Sequence, residues 1–456
     1  MVGRNNKRGF AFLSGAVVVV TVALAGCATG MKKQEQEALV ASMAKGDYKA
    51  AVAHIESQHA DGKAVYSAKN EVLYRLDLGL VQHEAGQFAD SDANFAIAED
   101  RIEELFTKSA SREAGTLLVN DATTEFSGER FERVMLNTYR SLDYLGQGDR
   151  SGAMVEIRKL SRLLQEYHDT LTDTAYSDDA FAQYLGSLLY ADNGQKDDSR
   201  ISMQAAQKAY ASYQKNFGTV PPQSFETVVP TGSAEIVFIH ANGVVPRKAS
   251  RTVQVAWGDA VATLNASNDG DEDTNTARNA ARAGMLGNAI TVAFPVFESS
   301  KFRIAASTVT VQRVGKTVSA ATSVVEDIDK IAKQDLKERM RWIAPRAIAR
   351  ATTKYILTKT AADQAKKQGG ELAGLFASLV GNAAASASEV ADTRSWTTLP
   401  AQFRLARVVV PVGDAEGEQD VAVQYLDAAG QPVMTRHYTA MLKKGRRVYL
   451  YDRTAL

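Results

Sequence analysis

Cys27 is the only cysteine in 456 residues, so it is the one thiol this chain can offer for covalent modification. Other side chains with chemical potential are spread thinly. The six histidines are His54, His59, His83, His168, His240 and His437. None belongs to a His-Glu-x-x-His pair, and His54 and His59 stand five apart, off one helical face. They read as scattered surface or core residues. Asp269-Gly270-Asp271-Glu272-Asp273 places carboxylates at alternate positions, as a calcium loop does. Thr274 then occupies the place of the required glycine and Ala280 that of the bidentate glutamate, so a solvated loop is expected, with weak calcium binding as the alternative. There is no phosphate-binding glycine loop and no nucleophile elbow. No catalytic residue, metal ligand or cofactor is therefore assigned, and a non-enzymatic role is expected.

The surroundings of Cys27 say what its thiol is for. Arg4, Lys7 and Arg8 precede an apolar run from Phe10 to Ala25, and Leu24-Ala25-Gly26 leads into the cysteine. A basic start, an apolar stretch and small residues make a secretion signal over residues 1–26. The order Leu-small-small-Cys resembles the lipobox of bacterial lipoprotein precursors. That resemblance implies lipid on the Cys27 thiol, cleavage before it and acylation of the new amino terminus, with residues 27–32 as a lipidated tether. More than one acyl chain is needed to hold a protein to a bilayer stably. Ala28 stands where an aspartate would resemble the inner-membrane retention signal, so the resemblance points to the outer membrane, facing the periplasm.

From Cys27 to Leu456 the chain has 430 residues, enough for two or three domains. Without Arg4, Lys7 and Arg8, 50 basic side chains face 53 acidic ones, a balance that gives no reason to expect nucleic acid as a partner. With Cys27 lipidated no thiol remains for a disulfide, and packing alone must stabilise the fold.

Residues 33–217 read as helical throughout, with apolar residues at helical spacing such as Leu73, Leu76 and Leu80. A short phrase recurs at each helix–helix turn: Lys45-Gly46-Asp47, Ala85-Gly86-Gln87, Gln147-Gly148-Asp149 and Asn193-Gly194-Gln195. Each glycine can take positive φ at a helix end, and the next residue is polar, suited to start another helix. The phrase resembles tetratricopeptide repeats, although the glycines lie 40, 62 and 46 residues apart, wider than the repeat's period of ~34. That resemblance implies a helical-hairpin array that binds polypeptide.

Gly218 to about residue 230 reads as a linker. Beyond it the period becomes two, and residues 231–456 read as one α+β domain. Strands are expected at Glu235–His240, Thr252–Ala256, Ala289–Val296, Lys301–Val311, Thr317–Val325, Phe403–Val410, Asp420–Leu426, Val433–Leu442 and Arg447–Tyr451. A helical insertion is expected over about 325–388, with its first helix stopping or kinking near Pro345. The apolar stripe of Leu372–Gly381 is expected to pack under the sheet. The basic helix around Lys337, Arg339, Arg341, Arg346 and Arg350 is expected to be a solvated face, with an anionic glycan or acidic partner as the alternative. Arg394, Trp396 and Pro400 form the sharpest local motif. Trp396 can bury a large area, Pro400 fixes the chain before a strand, and Arg394 can clamp a carboxylate, so a structural joint or a binding edge is expected.

Together with the segments at 132–142, 181–190 and 236–248, this motif resembles a family of tetratricopeptide-containing outer-membrane lipoproteins of Gram-negative bacteria. The resemblance implies a protein-binding scaffold in cell-envelope assembly, partnered by protein, another envelope lipoprotein among the candidates, in peptidoglycan-synthase regulation or in export or anchoring of a surface structure. A cell-wall or glycan-active enzyme in the C-terminal domain and a membrane-to-peptidoglycan tether stay open as alternatives.

Overall fold

The computed structural model describes residues 30–62, 64–110, 124–170, 175–266, 289–313, 315–387, 390–413 and 416–455. The first half is helical: α1 (Lys33–Ala44), α2 (Tyr48–Ala60), α3 (Glu71–Glu84), α4 (Phe88–Ala110), α5 (Arg130–Gly146), α6 (Arg150–Thr170), α7 (Ala180–Asp192) and α8 (Lys196–Asn216). They pair as successive hairpins. At all four turns the glycine is left-handed: Gly46, Gly86, Gly148 and Gly194 have φ of 72°, 74°, 75° and 75°. Each turn closes the same way, with the glycine N–H reaching back three residues and the following N–H reaching back five. In the first, Gly46 N–H donates to the Met43 carbonyl and Asp47 N–H to that of Ser42, both at 2.9 Å. This satisfies carbonyls that a helix end otherwise leaves orphaned. Asp47 and Asp149 then cap the following helices by accepting from Ala50 N–H and Gly152 N–H.

The hairpins form two rows. In α3, α5 and α7 most residues are buried on every side, while α8 keeps a solvated face. The inner row is therefore covered by something besides its sister helices, and that cover is the second half of the chain.

The second half holds β1 (Ser233–Asn242), β2 (Arg247–Ala256), α9 (Trp257–Ala266), β3 (Ala289–Glu298), β4 (Ala306–Arg313), β5 (Lys316–Ala321), β6 (Ser323–Asp327), α10 (Ile328–Ala387), β7 (Gln402–Pro411), β8 (Gly417–Leu426), β9 (Pro432–Leu442) and β10 (Arg447–Thr454). One sheet has the order β10-β1-β7-β6, a second the order β5-β4-β8-β9, and β2 and β3 form a separate ribbon. All ten residues of β1 are buried. Val237, Ile239 and Ala241 face the helical core, while Ala234, Ile236 and Phe238 face the second sheet. Helices, first sheet and second sheet thus stack as three layers, and one apolar cluster runs from the helices into the first sheet. A smaller cluster joins the ribbon to α9 and α10 through Leu264, Ile290, Val292 and Ile348.

Four expectations need correction. Thr317–Val325 is not one strand. It divides at Thr322, which exchanges hydrogen bonds with Ser307 and lets β5 and β6 join different sheets. The strand expected from Lys301 begins only at Ala306, and α9 was not foreseen. The long helix runs through Pro345 and breaks at Gly370, whose φ of 81° and ψ of −177° suit glycine alone. Past Gly370 the chain folds back, since a Cβ on Gly374 would lie 3.2 Å from the Ala362 carbonyl oxygen. Finally, Leu372 and Leu375 are 82% and 58% exposed, so neither packs under the sheet, while the side chains of the stripe from Phe376 onward lie outside the described residues.

Candidate functional site: a groove along an edge strand

Arg394, Trp396 and Pro400 lie together in a buried segment, 394–400, that runs between the inner helices and the first sheet. Its anchors come from the helices. Asp77 of α3 accepts from the backbone N–H groups of Thr397 (3.1 Å) and Thr398 (3.0 Å), from both threonine hydroxyls, and from Tyr66. Glu132 of α5 accepts from Trp396 N–H at 2.6 Å while its other oxygen caps its own helix by accepting from Glu129 N–H. The Trp396 indole donates to Thr398 and its ring lies against Phe95 and Tyr139. Arg394 holds Asp392 through two nitrogens and reaches the Thr124 carbonyl at 2.7 Å. After Pro400, Ala401 N–H joins the Asn242 carbonyl and the chain enters β7.

Burial pushes the Asp77 carboxyl up to about 6, against the pull of its hydrogen bonds from Thr398 and Tyr66. It pushes Glu132 up to about 8, opposed by Trp396 N–H and by nearby Lys248. Asp77 takes most of its donors from the joint, and Glu132 takes one from the joint and one from its own helix end. The inward face of this part of the array is thus filled by the chain itself.

The open space lies elsewhere. A groove of about 620 Å³ runs beside β10, touching all seven residues from 447 to 453. Its opposite wall is built from three hairpin turns, with Gly46, Gly86 and Gly148 all lining it, and Phe88, Leu142 and Leu145 add apolar surface. Gly194, at the fourth turn, does not line it. β10 is an edge strand, paired only with β1, in parallel. Arg446 and Thr454 both turn their carbonyls to the β1 side, accepting from Glu235 N–H and Gly243 N–H. Strand alternation therefore aims the N–H and C=O groups of Tyr449 and Tyr451 away from β1, into the groove. Among the described residues no strand pairs with that edge, and at its far end the Arg436 guanidinium donates to the Arg453 carbonyl at 3.0 Å.

The charged groups around the groove are mostly matched. Arg447 bridges Glu235 (2.7 Å) and Asp192, and Tyr449 also donates to Asp192. Asp452 is held by Arg436 and Tyr425. Tyr451 donates to Glu84 at 2.6 Å, and burial raises the Glu84 carboxyl while Arg453 pulls it back. The His83 ring joins Asp143 at 2.7 Å; burial disfavours its charge, yet Asp143 outweighs that and its pKa ends above the ordinary value. Among the described residues no group of three or more His, Cys, Asp or Glu is placed to hold a metal ion.

Of the residues singled out from sequence, three turn glycines converge on the groove, and Arg394, Trp396 and Pro400 converge on the joint. Cys27 with Leu24, Ala25 and Gly26 lies outside the described residues, as does the acidic stretch 269–273. The basic helix is not simply a solvated face: Arg339 pairs with Glu129, and Arg350 is buried. Sequence reasoning missed Asp77, Glu132, His83 and Arg453. For Asp77 a signal existed, an acid set in the otherwise apolar stretch Leu76–Val81. No family model, no curated protein and no solved structure matches this chain.

Proposed function

We propose that this protein is a non-enzymatic, lipid-anchored scaffold of the bacterial cell envelope that captures an extended polypeptide by strand addition to β10. The observation that carries the reading is the groove itself. It follows, for seven residues or about 20 Å at strand rise, a strand edge that no other strand covers among the described residues, and is walled by three turns of the helical array. An exposed edge is a liability that proteins normally blunt by covering or charging it. Here the helices approach the edge yet leave a channel beside it. An added strand gains main-chain hydrogen bonds from Tyr449 and Tyr451, while Phe88, Leu142 and Leu145 offer surface for its side chains.

Two further parts of the reading rest on sequence. The hairpins with their four like turns are read as an irregular tetratricopeptide-type array. Cys27 and its lipobox are read as the site of lipidation, which puts the protein on the outer membrane, facing the periplasm, with a protein or another envelope lipoprotein as partner.

The test is site-specific photocrosslinking in cells. A benzophenone side chain at Tyr48 or Arg150, both on the groove, is expected to trap a discrete polypeptide; the same probe at exposed Ile201 on α8 is the control. Labelled palmitate is expected to enter the native chain and not Cys27→Ala. Equal trapping at all three positions refutes the groove reading. Palmitate in Cys27→Ala, or in neither chain, refutes the anchor.

A further inference from the structure

Arg453 closes the far end of β10 and is only 2% exposed. One of its nitrogens donates to the Thr398 carbonyl at 3.1 Å, but Nε and Nη1 have no acceptor among the described residues. His83, 3% exposed, likewise leaves Nε2 without a partner. Both residues belong to the lining of the same groove. A buried guanidinium with idle donors is costly, because its lost water contacts are not replaced. The neighbouring acids are engaged: Asp452 lies with Arg436 at 2.6 Å, and Glu84 accepts from Tyr451 at 2.6 Å. Of the arginines around the groove, Arg436 is paired with Asp452 and Arg447 with Asp192 and Glu235, whereas buried Arg453 keeps two donors to spare among the described residues.

We infer that the groove is completed by a carboxylate of the captured peptide, seated at Arg453 with His83 beside it. This rests on the strand-addition reading and adds the chemistry of the occupant. The carboxylate has two possible sources, a peptide C-terminus or an acidic side chain. A C-terminus at Arg453 requires the added strand to run parallel to β10, as β1 does. A guanidinium matches a carboxylate in geometry as well as charge.

Three fluorescent octapeptides of alternating valine and serine test this on the detergent-solubilised full chain, read by anisotropy. The first ends in a free carboxylate, the second in an amide, and the third is amidated with one internal glutamate. The free acid is expected to bind at least about tenfold more tightly than the plain amide, the worth of one charge-assisted hydrogen bond. A glutamate peptide that equals the free acid also supports the carboxylate seat and assigns it to a side chain. Equal binding of all three overturns the carboxylate seat and leaves strand addition standing. Binding by none overturns both. Arg453→Met is expected to erase the difference between acid and amide. The wild-type comparison decides the matter alone if that variant does not fold.

Discussion

Asp77 offers the sharpest test of how the two halves are joined. Its carboxylate is fully buried and accepts from Thr397, Thr398 and Tyr66, so it ties α3 to the segment that enters the sheet. Burial raises its pKa from the ordinary 3.8 to about 6. The folded protein therefore holds a proton on this group at pH values where the unfolded chain has released it. The stability this group contributes is complete below its unfolded pKa and is lost as pH climbs through 6. Worked through proton linkage, the loss between pH 5 and pH 8 is about 1.5 kcal/mol. Asp77→Asn keeps the size of the side chain and carries no proton equilibrium. The expected outcome is that wild-type stability falls more steeply with pH than that of the variant, by about that amount. Urea unfolding followed by circular dichroism at pH 5, 6, 7 and 8 on both proteins gives the two slopes. Parallel curves, or a steeper fall in Asp77→Asn, would refute the account of the joint.

Three more outcomes follow from single contacts. Trp396→Ala removes a ring buried against Phe95 and Tyr139 and is expected to cost about 3–5 kcal/mol. Because one apolar cluster spans helices and sheet, far-UV and near-UV signals of that variant are expected to move together in one transition. Arg447→Met removes the cation from Asp192, leaving it the Tyr449 hydroxyl, and half of the Glu235 pairing, leaving Arg407, and a loss of about 3–5 kcal/mol is expected in urea unfolding. Gly86 has a φ of +74° and open space where a Cβ would stand. Gly86→Asn, tolerable in the left-handed region at a cost of about 1–2 kcal/mol, is expected to fold and to weaken peptide binding by placing a side chain in the groove. Unchanged anisotropy in that variant would count against the groove.

The sequence was most readable where the physics is local. A glycine followed by a polar residue marked each of the four hairpin turns, because only the chemistry of a helix end is involved. The alternation of β7, β8 and β9 was equally plain, since side-chain burial repeats about every second residue. Pairing was not readable. β10 joins β1 in parallel across more than two hundred residues, and no local signal encodes that, so neither the free edge nor the groove beside it was foreseen. Pro345 misled because its lost hydrogen bond is tolerated in a helix packed through Ala347, Ile348 and Ala349 against the β2–β3 ribbon. The real break at Gly370 depends on a backbone conformation that composition alone does not announce. Arg453 lay hidden for a related reason: an arginine next to an aspartate near a chain end reads as a solvated pair, and only the tertiary fold buries it.

The docking of Gly30 bears on how far this molecule can reach. Its N–H donates to the Thr393 hydroxyl at 2.9 Å, and an added Cβ would stand 2.0 Å from the Thr393 carbonyl oxygen, so the chain is clasped against the joint from this residue on. Met31 is buried directly after it. The tether expected over 27–32 is thus shortened, since only Ala28 and Thr29 separate Cys27 from the clasp, a span of about 10 Å at full extension. A lipid on Cys27 would leave the body no leash. It would ride flush with the headgroups and search for its partner in two dimensions, and any segment it captures would have to come down to the bilayer plane.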